Sequence, residues 1–351
     1  MGMMGGSGSR AAAVTTVALT LFCVVVVVSP LFAAPSVEDV MPGEEVTAEV
    51  AAEGSTPMDT NEVGIPSAKA RQGARFDKKF PSCPETRVEP ELTDAEAAAV
   101  GDDADDAARH SADVKRLIAA VESSGVRSEP FKSNVHICQP FSDELFEKIF
   151  AGFPPKAILY SLGEKRWKGE MDQLKKLSGK DRAKWPEYDR DIAAWKRVEA
   201  AVFDPKFEAY VFNALGIKAK AANREIRIQL DEGGFYIGVH PDNPVKILTM
   251  QFYMPVDDNG LWTYGTCLHD NKQAAVARKG VPKNKPKYTA GKNAPCAVKF
   301  PFANNTGYAF SVHGSSWHSV EKVHKFQGNR RTFMINWYQK GKLPPRGKNG
   351  R

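Results

Sequence analysis

The chain is poor in the residues that build paired-thiolate metal sites: five cysteines and seven histidines in 351 residues, with no Cys-x-x-Cys pair. That absence argues against a zinc module. Internal repeats of useful length are also missing, which excludes solenoid and propeller arrays. Charge is absent from Ala11 to Val28, an apolar run preceded by a Gly-rich start whose sole charged side chain is Arg10. Aromatics are scarce between residues 35 and 130, so that stretch has little with which to build a core.

The apolar run reads as a secretory signal or a type II signal anchor over residues 1–36. Its length is near the roughly 20 residues that span a bilayer, and Ser29 to Ala34 can extend it. Cleavage after Ala34 would place Phe32 and Pro35 at poor positions, and Ala34-Pro35-Ser36 offers a weaker site, so cleaved and anchored forms both stay open. Either places the body in the secretory pathway, in the endoplasmic reticulum or Golgi lumen, or outside the cell. Disulfides persist there. With Cys23 inside the run, Cys83, Cys138, Cys267 and Cys296 remain, an even set that permits two bridges in three pairings or four free thiols. A Cys267–Cys296 bridge would close the lysine-rich segment between them.

Residues 35–130 carry 21 acidic against 10 basic side chains. The composition predicts an acidic disordered stalk over 37–130, with at most a short helix in 93–108. The remaining 131–351 then holds a net charge of about +16. A strongly basic folded part suits an acidic protein or peptide substrate or a polyanionic matrix, while the leader argues against nucleic acid and would join the chain to a membrane if uncleaved.

The ordered domain is expected over 131–345. Asn134 to Cys138 reads as a short strand, and Ser142 as the N-cap of a helix running to Phe150 with acidic residues in its first turn. From Leu162 to Ala214 the spacing predicts two or three helices broken at Trp185-Pro186, with Ile192, Trp195, Val198 and Val202 as a core-facing stripe. After Gly216 the period changes to two: Ile226, Ile228 and Leu230; Phe235 to Val239; Lys246 to Met254; Phe310 to Val312; Thr332 to Tyr338. Asp257 to Gly260 is a turn signal. Helices followed by many short strands, without alternating strand–helix units, predict an α+β domain. Its core would be a jelly-roll or double-stranded β-helix, cupin-like, with N-terminal supporting helices.

The chemistry concentrates at His240-Pro241-Asp242 and at His318, 78 positions further on. Two imidazoles and one carboxylate can hold a redox-active iron on one face and leave the other open for cosubstrate and oxygen. His240 and Asp242 are two apart, on the same side of a regular strand, and a third ligand must come from a distant strand. Arg330 and Arg331 open the next apolar strand, where a buried guanidinium calls for an anionic partner such as a dicarboxylate. Read alone, the three ligand candidates fit a surface His–Asp hydrogen bond and a packed core histidine better than a metal site, and the surrounding pattern changes that balance.

Across Gly238 to Asp242, Leu248 to Pro255, Gly265-Thr266, Ser316 to Val320 and Arg330 to Tyr338 the chain resembles the 2-oxoglutarate and Fe(II)-dependent oxygenases, prolyl-hydroxylase-like members most closely. The resemblance spans Phe141 to Tyr338. It implies that His240, Asp242 and His318 are the catalytic metal ligands, and that 2-oxoglutarate binds the iron through its keto-acid end. Its distal carboxylate would be gripped by Arg331, counting back from Trp337-Tyr338, with Arg330 in reserve and Tyr253 in support. The implied dioxygenase reaction consumes molecular oxygen, releases succinate and carbon dioxide, and hydroxylates a substrate C–H bond. A prolyl residue of a secretory-pathway protein is the first expectation, with ascorbate a candidate auxiliary. The arginine departs from the lysine that secretory collagen-type prolyl 4-hydroxylases generally use and matches the hypoxia-type branch. Asp242 disfavours a halogenase relative.

Other histidines, His136, His269, His313 and His324, read as structural or surface. The segment from His269 to Lys299, with Lys272, Arg278, Lys279, Lys283, Lys285, Lys287 and Lys292, is either a solvated loop or a clamp for an acidic peptide or glycan. Two alternatives come from other classes: a cupin-type metal enzyme that ignores 2-oxoglutarate, which the arginine pair argues against, and a non-catalytic lumenal module that holds polyanions.

Overall fold

Asp105 accepts a hydrogen bond from the backbone of Ala107 (3.1 Å) and starts a 19-residue helix inside the stretch expected to be a disordered stalk. The computed structural model describes residues 83, 89–98, 105–163, 165–256, 264–323 and 329–340. A short helix α1 (Asp94–Ala98) leads to this α2 (Asp106–Ser124), whose Val114, Leu117 and Val121 are buried in the main core. The stalk assignment is therefore corrected over these residues. Summed charge hid a helix whose apolar residues recur at three and four, and a fragment starting at residue 131 would strip it from the core. The leader, 1–36, lies outside the described residues. Among those that are described, no helix is long and apolar enough to cross a membrane.

Strand β1 (Asn134–Cys138) and helix α3 (Asp143–Ala151) follow, with the Ser142 side chain accepting from the Leu145 amide at 3.2 Å as the cap signal predicted. The next segment differs from expectation. Strands β2 (Tyr160–Gly163) and β3 (Arg166–Glu170) stand where helix was predicted, before α4 (Met171–Leu174), α5 (Gly179–Arg182), α6 (Tyr188–Val202) and α7 (Pro205–Ala214). Pairing with a long neighbouring strand overrides the helical propensity of Arg166-Trp167-Lys168. The predicted stripe of α6 is buried, with Trp195 donating its indole N–H to the Gly152 carbonyl at 2.8 Å.

Eight further strands form the jelly roll: β4 (Ala221–Asp231), β5 (Ile237–His240), β6 (Lys246–Tyr253), β7 (Thr266–Leu268), β8 (Val298–Phe300), β9 (Thr306–Ser311), β10 (His318–Val320) and β11 (Arg330–Gln339). They divide between a seven-stranded sheet, β1-β9-β6-β11-β4-β3-β2, and a four-stranded sheet, β5-β10-β7-β8, with antiparallel pairing throughout. The interleaving of β4, β6, β9 and β11 with β5, β7, β8 and β10 defines the double-stranded β-helix. The larger sheet has two unlike faces. Ile226, Ile228, Leu248, Met250, Phe252, Phe333, Ile335 and Trp337 pack with the helices in the main core. The opposite face looks across at the small sheet.

The lysine-rich segment is pinned. Helix α8 (Asn271–Ala277) starts at a capping box between Asp270 and Gln273, and Cys267 pairs with Cys296. Gly291 and Lys292 then hydrogen-bond to both backbone groups of Val239. A Cβ at Gly238 would collide with the Gly291 carbonyl, so this approach requires glycine. The second disulfide joins Cys83 to Cys138 on β1.

Candidate metal centre

His240 ends β5 and His318 opens β10, and antiparallel pairing sets their Cα atoms opposite each other. Asp242 follows two residues after His240, and one ligand atom from each of the three lies within 4.8 Å of the other two. Among the described residues, the two other clusters of potential ligands, around Cys83 and Cys138 and around Cys267 and Cys296, contain disulfides.

The imidazoles are oriented for a metal. His240 Nδ1 lies 2.9 Å from the Gly238 carbonyl and His318 Nδ1 lies 3.0 Å from the Ser316 carbonyl. A carbonyl can only accept, so each Nδ1 carries the proton and each Nε2 keeps a lone pair. Burial, then the charge of His318, pushes the His240 imidazole down to about 3, and burial also lowers His318, so both are neutral at physiological pH. Burial works against the charge of Asp242. Lys246, the two imidazoles and Thr249 outweigh it, and the carboxyl stays below its usual range. Thr249 donates its hydroxyl to Asp242 Oδ2 (2.6 Å) and the Lys246 ammonium donates to Oδ1 (3.0 Å).

From Thr249 the inner face of β6 continues through Gln251 to Tyr253. Tyr308 donates to Gln251 Oε1 (2.6 Å), and Gln251 donates to the Thr332 hydroxyl (2.8 Å). Tyr253 donates to Thr266 Oγ1 (2.8 Å) and accepts from the Thr266 amide (3.0 Å). Burial pushes its hydroxyl up to about 12, so it stays protonated.

Beside Tyr253 lies Arg330, fully buried, its guanidinium carbon 5.6 Å from the tyrosine ring centre. Its Nε donates to the Tyr264 carbonyl (2.7 Å) and its Nη1 to Asp231 Oδ2 (2.9 Å), while Nη2 is buried without a hydrogen-bond partner among the described residues. Asp231 also accepts two hydrogen bonds from Arg166, so two guanidinium groups share one carboxylate. Among the described residues, one positive charge is left over in a buried setting, with one donor unused. That is the electrostatics of an anion site.

Arg331, expected to be the anchor, does not face this site. It has the parity of Phe333, Ile335 and Trp337, and its guanidinium carbon sits 4.9 Å from the Phe153 ring centre on the helix-covered side. The period-two rule that places Trp337 in the main core places Arg331 there too, and puts Arg330 on the inner face. The other histidines are structural: His269 bonds Ser319 and the Pro295 carbonyl, His313 reaches the Lys132 carbonyl, and His136 stacks on Phe300. His324 lies outside the described residues. Sequence reading missed Lys246, Thr249, Arg166 and Asp231. A charged Lys246 heading an otherwise apolar strand was a signal for the first. No sequence signal marked the bulge at Ile247, where Trp337 pairs with Leu248 but Tyr338 with Lys246, which turns Lys246 onto the inner face.

No family model and no curated protein matches the sequence. In structure the chain is similar to a prolyl-4-hydroxylase from Pseudomonas putida, with 11% identity over 64% of this chain and 100% of that one and a TM-score of 0.39. It is also similar to an oxidoreductase of the 2OG-Fe(II) oxygenase family from Burkholderia pseudomallei, with 15% identity over 59% of this chain and 84% of that one and a TM-score of 0.35. A third is a dioxygenase for auxin oxidation from rice, with 12% identity over 70% of this chain and 82% of that one and a TM-score of 0.38. Likeness this remote leaves the function to be argued from the chain's own residues.

Proposed function

We propose that this chain is an Fe(II)- and 2-oxoglutarate-dependent dioxygenase that hydroxylates a substrate C–H bond. The observation that carries the reading is the buried Nη2 of Arg330, without a hydrogen-bond partner among the described residues, on the sheet face whose Thr249 donates to Asp242 of the His240, Asp242 and His318 ligand set. A metal enzyme with no anionic cosubstrate has no use for that surplus guanidinium charge.

Two neutral nitrogens with Nε2 free and one ionised carboxylate suit a divalent iron and leave coordination positions open. Ferrous iron bound there supplies the redox chemistry that couples oxygen and cosubstrate decarboxylation to hydroxylation. Gly238 and Ser316 fix the imidazole tautomers, and Thr249 fixes the carboxylate rotamer. Arg330 grips the distal carboxylate of 2-oxoglutarate. Arg166 and Asp231 hold its guanidinium in place, and the protonated Tyr253 borders the same spot. Gln251, Thr332 and Tyr308 form a satisfied polar wall between the two ends.

A prolyl residue of a secretory-pathway protein is the proposed target. The leader with its uncharged Ala11 to Val28 run and the two disulfides support a lumenal or secreted setting, anchored if the leader stays attached. The basic folded part and the lysines pinned beside β5 favour an acidic peptide context around the target. The test is 2-oxoglutarate turnover by the full chain with Fe(II). Succinate formed in step with oxygen uptake, and lost in Arg330→Met but not in Arg331→Met, supports the reading. Metal binding with no response to 2-oxoglutarate removes it. Mass gain of one oxygen atom across a panel of proline peptides, with and without flanking acids, tests the target.

A further inference from the structure

The inner face carries a second cation that the cosubstrate does not need. Along β6 the order is Lys246, Thr249, Gln251, Tyr253. Thr249 marks the metal carboxylate, so Arg330, beside Tyr253, lies to one side of it and Lys246 to the other. From Thr249 to Tyr253 is four residues, roughly 13 Å of strand, room for a chelated dicarboxylate on the Arg330 side. Lys246 stands outside that span.

Lys246 is buried, and among the described residues its one acidic partner in hydrogen-bond range is Asp242. The neighbouring cations have acids of their own: Lys168 pairs with Glu170 (3.0 Å), and Arg227 with Glu225, which also accepts from Tyr338 (2.7 Å) and Asn336 (3.1 Å). A divalent ion on Asp242 must share the carboxylate that otherwise serves as the counter-charge of Lys246. The ammonium then stands beside the metal without a full counter-charge, in a place where an unpaired charge is costly.

A row of cross-strand neighbours links this ammonium to solvent. Lys246 Nζ is 4.0 Å from Met334 Sδ, Met334 is registered with Arg227 on β4, and Arg227 with Glu170 on β3. The Tyr160 hydroxyl on edge strand β2 donates to Glu170 (3.1 Å). Side-chain exposure rises along the row, from 9% at Lys246 to 31% at Glu170.

We infer that the compound oxidised is an anion, and that its carboxylate pairs with Lys246. The inference rests on the proposed dioxygenase reading and adds the charge of the substrate and the residue that selects it. An acidic peptide side chain next to the reacting carbon and a free carboxylate on a small molecule share this chemistry.

The test uses the full chain loaded with Mn(II) and saturated with 2-oxoglutarate under argon. Trifluoroacetate is the probe, trifluoroethanol its uncharged control, and paramagnetic relaxation in fluorine NMR the readout. The expected result is saturable relaxation of trifluoroacetate alone, with affinity falling roughly tenfold or more in Lys246→Met, the loss of one charge-assisted hydrogen bond. If Lys246→Met no longer binds Mn(II), Lys246→Gln, which keeps a donor to Asp242, takes its place. Equal probe affinity in variant and wild type overturns the inference. So does relaxation that disappears as 2-oxoglutarate saturates, because the probe then sits at Arg330. Acidic peptides that compete with trifluoroacetate would identify a protein substrate, and competition by small carboxylates alone a metabolite. Failure of Mn(II) or 2-oxoglutarate to bind the wild type is a separate result that removes the dioxygenase reading and this inference together.

Discussion

The two faces of the seven-stranded sheet are built from alternate residues of the same strands, yet they hold opposite chemistry. The helix-covered face is Ile, Leu, Met, Phe and Trp in one continuous core. The inner face carries Thr249, Gln251, Tyr253, Arg330, Thr332 and Asn336, buried as deeply but hydrogen-bonded to one another or held beside charge. Arg330 and Arg331 make the contrast sharpest, one in each setting and one peptide bond apart. Burial on the first face stabilises the fold. On the second it strips water from polar groups that are then positioned for a ligand.

The contrast breaks if the faces are energetically alike. Against the core face, Trp195 of α6 packs edge-on to Phe333, and Trp195→Ala removes a fully buried ring and should cost about 3–5 kcal/mol of unfolding free energy in denaturant titrations. Mn(II) affinity of the molecules that remain folded should be unchanged. Across from the inner face, on β10 of the small sheet, His318→Ala should leave the chemical denaturation midpoint nearly in place and weaken Mn(II) binding by more than about 100-fold, read by water-proton relaxation. Large stability loss in the second variant, or metal loss in the first, would blur the division.

Arg330→Met against Arg331→Met narrows the comparison to a single strand. The first should weaken 2-oxoglutarate binding to the Mn(II)-loaded protein by roughly 10- to 100-fold and the second by less than about threefold, as isothermal titration would show.

The effect of His136 is confined to acidic pH. It is buried against Phe300, and burial, followed by Arg127, lowers its imidazole from 6.5 to about 3. Unfolding at acidic pH therefore takes up a proton, so its contribution to stability is intact above about 6.5 and is lost as pH falls toward 3. His136→Phe should remove up to about 1.4 kcal/mol per pH unit of slope across that window. Parallel pH profiles for variant and wild type would contradict this.

Much of the site was legible because its spacing is local. His240 and Asp242 lie two residues apart where β5 ends, Ser142 and the alternation of β6 mark their own elements, and Cys267 and Cys296 bracket one insertion. The arginine choice was legible too, had the count started from the core residues Phe333, Ile335 and Trp337 rather than from an aromatic landmark. What the sequence hid depends on partners distant in the chain. Strands β2 and β3 exist because β4 offers them an edge, and α2 is held by α6, α7 and β1 despite the acidic residues around it. Lys246 reaches Asp242 only through a bulge opposite Trp337 and Tyr338. Each is a tertiary effect that no window of local pattern contains.

The most direct test of the account is the anaerobic visible spectrum of the full chain with Fe(II), before and after 2-oxoglutarate. A charge-transfer band that requires both additions, vanishes in His318→Ala, is lost at moderate 2-oxoglutarate in Arg330→Met and persists in Arg331→Met is the predicted result. A protein that binds iron but shows no band with 2-oxoglutarate would contradict it.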